Sequence, residues 1–335
     1  MKYRQIGKSG LISSNLTLGT MIFGEKSGRA TSEEDAIKMI NYYLDLGGNH
    51  IDTANVYADG RSEEIIGKTL KGKRDKTIIS TKVRFRTSSD INAEGLSRTH
   101  IVQSVDDSLA RLKTDYIDLL YLHSFDPITP LEETIRAIEH LIDKGKVRYI
   151  GVSNFKAWQL MKAQGLTKYL NTNPFIAAQY QYSLVKRDLE YEFFDLFESE
   201  GLGLLTWGPL GGGFLSGKYT KDKPNSGRIA STSDDTEESW ERRNSDKNWQ
   251  IINAIESLTK KYNVTFSQVA IAWILSNKVV SSVILGVRTL DQLKDNMGAN
   301  NLYLTLDEVN LLNNLSQLPE LYPYRFMNEY GNREI

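Results

Sequence analysis

Asp52, Tyr57, Lys82 and His123 each stand at or just after the end of a short apolar run, in HIDTANVY (50–57), TIISTKV (77–83) and IDLLYLH (117–123). Runs of that length bounded by polar residues have the pattern of buried parallel strands. If consecutive strands end at one rim, the four side chains converge there. A phenol near an ammonium, with a carboxylate behind the ammonium and an imidazole opposite, can give a proton to a carbonyl oxygen. A phenol with pKa near about 10 is a poor acid at neutral pH, and a neighbouring Lys82 ammonium would draw it toward the working range. Asp52 would hold that lysine charged, and His123 would donate a hydrogen bond to the substrate oxygen or assist proton transfer. No member of the set supplies electrons, so a hydride donor must bind beside it.

Each residue also has a plainer reading. Lys82 alone could be a solvated strand end, Tyr57 is one of 17 tyrosines, and His123 is one of four histidines. Their joint occurrence on three consecutive strands favours chemistry. A Schiff-base enzyme would need Lys82 neutral, which the Asp52 charge opposes. A metal hydrolase needs clustered ligands, and His50, His100, His123 and His140 show no HxH spacing.

The elements that must position these groups recur at intervals of roughly 30 residues. Candidate strands are 16–20, 50–54, 77–83, 117–123, 147–154, 175–182, 203–209 and 282–287, with amphipathic helical stretches between them. Ser32 to Leu46 opens on a cap and first-turn acids and stops at Gly47 and Gly48, and Leu131 to Lys144 closes at Gly145. Eight βα units predict an α/β fold of the closed (β/α)8 TIM barrel type, and no GxGxxG follows the first strand as a dinucleotide-binding open sheet would want. Residues 1–15 read as a hairpin closing the barrel bottom. Residues 211–246 form a long loop after strand seven, and 319–335 an apolar tail that could fold over the rim. No linker divides the chain, so residues 1–335 are expected to form a single domain.

The 335 residues are 40% hydrophobic and 25% charged, enough apolar material for a large core. Forty-one basic against forty-two acidic residues give a net charge of -1, so no nucleic acid or membrane partner is expected. There is no cysteine, which removes disulfides and thiolate chemistry. The start MKYRQIGKSG lacks a signal-peptide core. A cytoplasmic location is expected.

The chain resembles the aldo-keto reductases. The resemblance runs nearly end to end, through the initial hairpin, GTMIFG (19–24), DTANVY (52–57), STK (80–82), LLYLH (119–123), GVSNF (151–155), QYQYS (179–183) and the segment from Gly286 to Asn296. It is most similar to the branch holding bacterial general reductases and potassium-channel β-subunits, in which a tryptophan follows strand seven, here in TWGPLGGGFLSGKY (206–219). The resemblance implies a catalytic tetrad of Asp52, Tyr57, Lys82 and His123 and NADP(H) lying extended across the rim. It implies a small aldehyde or ketone as substrate, and the oligomeric state stays open. A regulatory protein that senses NADP(H), binds a protein partner and turns over little is the alternative it allows.

Carried over position by position, the resemblance puts Ser153, Asn154 and Gln179 on the nicotinamide carboxamide and Trp207 against its ring, a role a flat surface suits. Gly19, Thr20 and Met21 fall among the cofactor contacts. Gly208, Pro209, Leu210, Gly211, Gly213 and Lys218 would wrap the pyrophosphate, the glycines allowing close backbone approach. Gly286, Arg288, Gln292, Asp295 and Asn296 match the adenosine end. The positions that carry a lysine and an arginine for the 2′-phosphate in another branch hold Gly286 and Gln292, so Arg288 and Arg228 are the replacements expected. Met21, Phe23, Phe85 and Phe125, with Tyr322, Tyr324, Phe326 and Met327 of the tail, would line the substrate pocket.

Overall fold

The computed structural model describes residues 1–26, 30–222, 227–231 and 238–331. Parts of the expected long loop (223–226 and 232–237) and of the tail (332–335) therefore lie outside the described residues. Ten strands are formed among the described residues. Strands β1 (Tyr3–Gln5) and β2 (Ile12–Ser14) pair antiparallel as a hairpin. The other eight close a parallel barrel: β3 (Leu16–Gly19), β4 (His50–Asp52), β5 (Ile78–Val83), β6 (Ile117–Leu122), β7 (Val147–Ser153), β8 (Ala177–Gln181), β9 (Gly203–Trp207) and β10 (Val280–Gly286), which returns to β3. The eight candidate runs are these eight strands, with ends displaced by a few residues.

Outside the barrel, the helices behave as their sequences demand. Ser32 accepts a hydrogen bond from the Asp35 N–H and caps the helix Glu33–Asp45, which turns Ala36, Met39, Ile40 and Tyr43 onto the strands. Glycines in the left-handed region follow two helix ends, Gly47 at φ 83° and Gly145 at φ 72°. The hairpin plugs the barrel bottom. Ile6 packs in one interior cluster with Leu119, Tyr121, Ala177, Leu205 and Ile284, and Lys8 N–H donates to the Gly201 carbonyl at 2.7 Å.

Parallel registration sets the upper rim. Asp52 pairs with Ser80, Lys82 with Tyr121, Ser153 with Gln179, and Gln181 with Trp207. Polar residues spaced far apart in sequence are therefore neighbours at the carboxyl ends of the strands, where barrels of this kind place their sites.

The described part of the tail ends at Gly331. It forms the helix Tyr324–Tyr330, stacks Tyr324 on Tyr191 and donates from the Tyr324 hydroxyl to Glu192 at 3.0 Å, beside the segment that follows β8. Tyr322, Phe326 and Met327, expected over the substrate, are 85%, 57% and 59% exposed.

Candidate active site

Lys82 and Asp52 form a buried ion pair at the base of the rim. The ammonium lies 2.6 Å from Asp52 Oδ2, with side-chain exposures of 0% and 4%, and donates a second hydrogen bond to the Thr53 carbonyl at 2.6 Å. Ser80 Oγ and Gln179 Nε2 donate to Asp52 Oδ1 at 2.7 and 2.8 Å. Burial works against the Lys82 charge, but Asp52 and the Tyr57 hydroxyl outweigh it and hold its pKa above the ordinary value. Lys82 is an ammonium at neutral pH.

Tyr57 is half-buried above this pair, its ring centroid 4.8 Å from Lys82 Nζ. The chain turns sharply behind it: Ala58 and Asp59 take positive φ of 49° and 55° before Gly60 at 89°. Non-glycine residues in that region cost roughly 1–3 kcal/mol each, strain typical of segments that hold a functional group in place. The expected lowering of the Tyr57 pKa is overturned. Burial raises it, the Lys82 charge pulls it back, and burial wins. Tyr57 therefore stays protonated, the form that can donate.

His123 faces Tyr57 with ring centroids 5.9 Å apart and is flanked by Phe85 at 4.7 Å. Burial, with help from Lys82, drops its pKa to about 3. At neutral pH the imidazole is therefore uncharged, a form that can hydrogen-bond a substrate oxygen. Its Nδ1 is buried with no protein partner.

Other expected contacts divide. Ser153 donates to the Gln179 carbonyl at 2.8 Å, and the Gln179 amide is held by Asp52, so both brace the site from below. Asn154, at φ 55°, is exposed and donates to the His123 carbonyl at 2.9 Å. Trp207 is half-buried and lines a cleft of about 370 Å³ with Asn154, Tyr180, Gln181, Lys186, Asp188 and Leu189. Gln181 was missed in the sequence. Its Nε2 is buried without a partner beside Trp207, and the signal was the i, i+2 spacing of Gln179 and Gln181 in QYQYS. Asn55 was missed as well: its side-chain oxygen and nitrogen are buried and unpartnered between Asp52 and Tyr57. The orphaned Gln181 amide beside a flat indole suits a planar ring that carries a carboxamide.

Past β9 the chain is built for close approach. Gly208, Gly211, Gly212 and Gly213 have φ of 66°, 56°, 73° and 93°, which side chains rarely adopt. Pro209 is buried and Leu210 half-buried, anchoring the turn, while Lys218 is exposed over the Tyr219 ring. Arg228 is half-buried in an ion pair with Glu238. Gly286, the last residue of β10, and Arg288 are exposed, and the Arg288 N–H donates to Gln292 Oε1 at 2.9 Å. Asp295 accepts from Thr265 and Gln268 at 3.0 Å each, and Asn296 is buried.

Several expected contacts are structural. Phe23 is fully buried in the main core and offers no surface to a substrate, because the bridge from Phe23 to Thr31 draws it inward. Thr20 spends its N–H and hydroxyl on the Asp52 carbonyl, at 3.0 and 2.9 Å. A Cβ on Gly19 would come within 2.8 Å of Ile284. Met21 and Phe85 are 45% and 39% exposed, and Phe125 is half-buried against Phe155 and Trp158.

The family model of the aldo/keto reductases matches residues 15–317. The chain belongs to the aldo/keto reductase family. A protein of Arabidopsis thaliana described as a probable voltage-gated potassium channel subunit beta is 37% identical over 333 residues, covering 97% of this chain and 98% of its own. One of Oryza sativa subsp. japonica with the same description is 37% identical over 307 residues, covering 89% and 91%. Among the described residues this aldo/keto reductase has no helix long and apolar enough to cross a membrane, and no cluster of three or more metal-ligating side chains.

The buried imidazoles make stability depend on pH. Folding drops His50 to about 4 and His123 to about 3 from an ordinary 6.5. As pH falls from 6.5 toward 4 the unfolded chain binds protons the folded chain refuses, so stability falls. In urea titrations across this range, His123→Asn should flatten the slope by about one proton near pH 5.5. An unchanged slope would mean that His123 is protonated in the folded protein.

Proposed function

We propose that this aldo/keto reductase is an NADP(H)-dependent enzyme that reduces small aldehydes and ketones to alcohols. The observation that carries the reading is Tyr57 set over a buried Lys82 that is paired with Asp52. Bound NADPH would supply the hydride to the carbonyl carbon. Tyr57 would give its proton to the carbonyl oxygen as charge develops there, and Lys82 would stabilise the phenolate left behind. Asp52, held by Ser80 and Gln179, keeps Lys82 in place, while neutral His123 would hydrogen-bond the carbonyl oxygen and orient it. Asn154, Gln181 and Trp207 would hold the nicotinamide, and Gly208 to Gly213 with Lys218 the pyrophosphate.

Substrate would meet Phe85, Phe125 and Met21, an apolar wall for a small carbonyl compound. Arg288 would take the 2′-phosphate, with Arg228 exchanging Glu238 for it. The absence of cysteine is in keeping with a cytoplasmic setting. A second reading, an NADP(H)-sensing regulatory protein with little turnover, is favoured only by the names of the two plant relatives. A panel of aldehydes and ketones with NADPH or NADH, followed at the nicotinamide absorbance band, separates the two. Turnover across the panel supports the enzyme, and tight NADPH binding without turnover supports the regulator.

Tyr57→Phe deletes the acid and leaves the nucleotide contacts, so kcat should fall by about 10²–10⁴ with NADPH affinity unchanged. Retention of more than about a tenth of wild-type kcat would remove Tyr57 from the role.

Arg288→Ala should weaken NADPH binding by roughly ten- to a hundredfold, the worth of charge-assisted hydrogen bonds to one guanidinium, and leave NADH untouched. Quenching of tryptophan fluorescence reads both affinities. Equal weakening of the two nucleotides would reassign Arg288 to stacking on adenine. Arg228→Ala should have the smaller effect, because Arg228 must first part from Glu238.

A further inference from the structure

Below the ion pair a hydrogen-bonded row continues into the closed half of the barrel. Ser80 Oγ, 2.7 Å from Asp52 Oδ1, is also 3.0 Å from His50 Nε2, and His50 Nδ1 is 2.9 Å from Ser13 Oγ in the hairpin. Ser13, His50 and Ser80 are all fully buried, at 0% exposure. Asp52 and Lys82 lie on the rim side of His50, and Tyr43 packs beside it, its hydroxyl accepting the His50 N–H at 3.2 Å.

The direction of the row follows from the carboxylate. Asp52, paired with Lys82, can only accept, so Ser80 must donate to it. A hydroxyl has one proton, so toward His50 Ser80 can only accept. The proton of the imidazole must therefore sit on Nε2, which makes Nδ1 an acceptor and Ser13 its donor, although the Ser14 carbonyl lies 3.0 Å from the same hydroxyl. Every donor in the row points at Asp52.

We propose that His50 is a positioning residue for this site: by donating to Ser80 it fixes the serine proton on Asp52, and through Asp52 it holds Lys82 under Tyr57. This rests on the reading of Tyr57, Lys82 and Asp52 as the acid machinery. Without the His50 N–H, the Ser80 hydroxyl is free to turn, and Asp52 Oδ1 keeps only Gln179. His50 touches neither substrate nor cofactor, so its loss acts on turnover and not on binding.

Two measurements test this on the full chain. In ¹⁵N-histidine spectra, with His50→Gln identifying the signal among four histidines, His50 should be the neutral Nε2–H tautomer from pH 5.5 to 8. The Nδ1–H tautomer or an imidazolium would overturn the proposal, since Ser80 could not then be oriented as described. In kinetics with NADPH and an aldehyde, His50→Leu should lower kcat by about tenfold, as loss of a support behind a reacting group does. KM and NADPH affinity should stay unchanged, and His50→Gln, whose amide reaches Ser80, should recover most of the loss. Equal activity in the two variants would overturn it. If the leucine variant does not fold, His50→Asn takes its place, because its shorter amide reaches Ser13 but not Ser80. A wild-type protein without carbonyl turnover would refute the proposed function, and the tautomer would still decide the row.

Discussion

Two opposite charges taken out of water at the ends of two adjacent parallel strands set the terms for this site. Desolvating Lys82 and Asp52 is costly, and leaving either one alone would cost about 3–5 kcal/mol, so the pair exists only where the fold satisfies both partners. The barrel does so from three strands and one loop. Lys82 comes from β5, Asp52 from β4, the Thr53 carbonyl follows β4, and Ser80 and Gln179 reach Asp52 from β5 and β8. Such convergence needs closure, because β8 and β4 are not adjacent in the barrel.

Burial, set against this fixed ammonium, then sorts the remaining groups. Tyr57 is pushed to stay protonated and His123 to stay neutral, while Lys82 alone keeps its charge. One environment thus produces a donor, a neutral hydrogen-bonding group and a cation from three titratable side chains. The strained turn at Ala58 and Asp59 and the neutral His50 beneath belong to the same arrangement, since each constrains a group that touches the ion pair or lies over it.

The barrel was legible because its strands are apolar runs between turn signals, and the meeting of Asp52, Tyr57, Lys82 and His123 because polar residues sit at strand ends. What escaped the sequence depended on solvation and on pairing across strands. The balance of burial against charge at Tyr57 cannot be read from DTANVY, which says nothing of depth. Gln179 and Gln181 look alike in QYQYS, yet one is spent on Asp52 and the other faces the cleft with Trp207. Phe23 reads as a rim residue in GTMIFG until the bridge to Thr31 draws it into the core. The docking of Tyr324 on Tyr191 and Glu192 is a contact that no local pattern encodes.

The central claim is that the Lys82 charge acts directly on the Tyr57 hydroxyl. Titrating ring-labelled tyrosine by NMR, with Tyr57→Phe identifying the signal, measures this without any substrate or cofactor. In Lys82→Met the Tyr57 resonance should titrate at higher pH than in the wild type, because the group that lowers its pKa is gone while burial and Asp52, which raise it, remain. A Tyr57 that titrates at the same or lower pH in Lys82→Met would contradict the account.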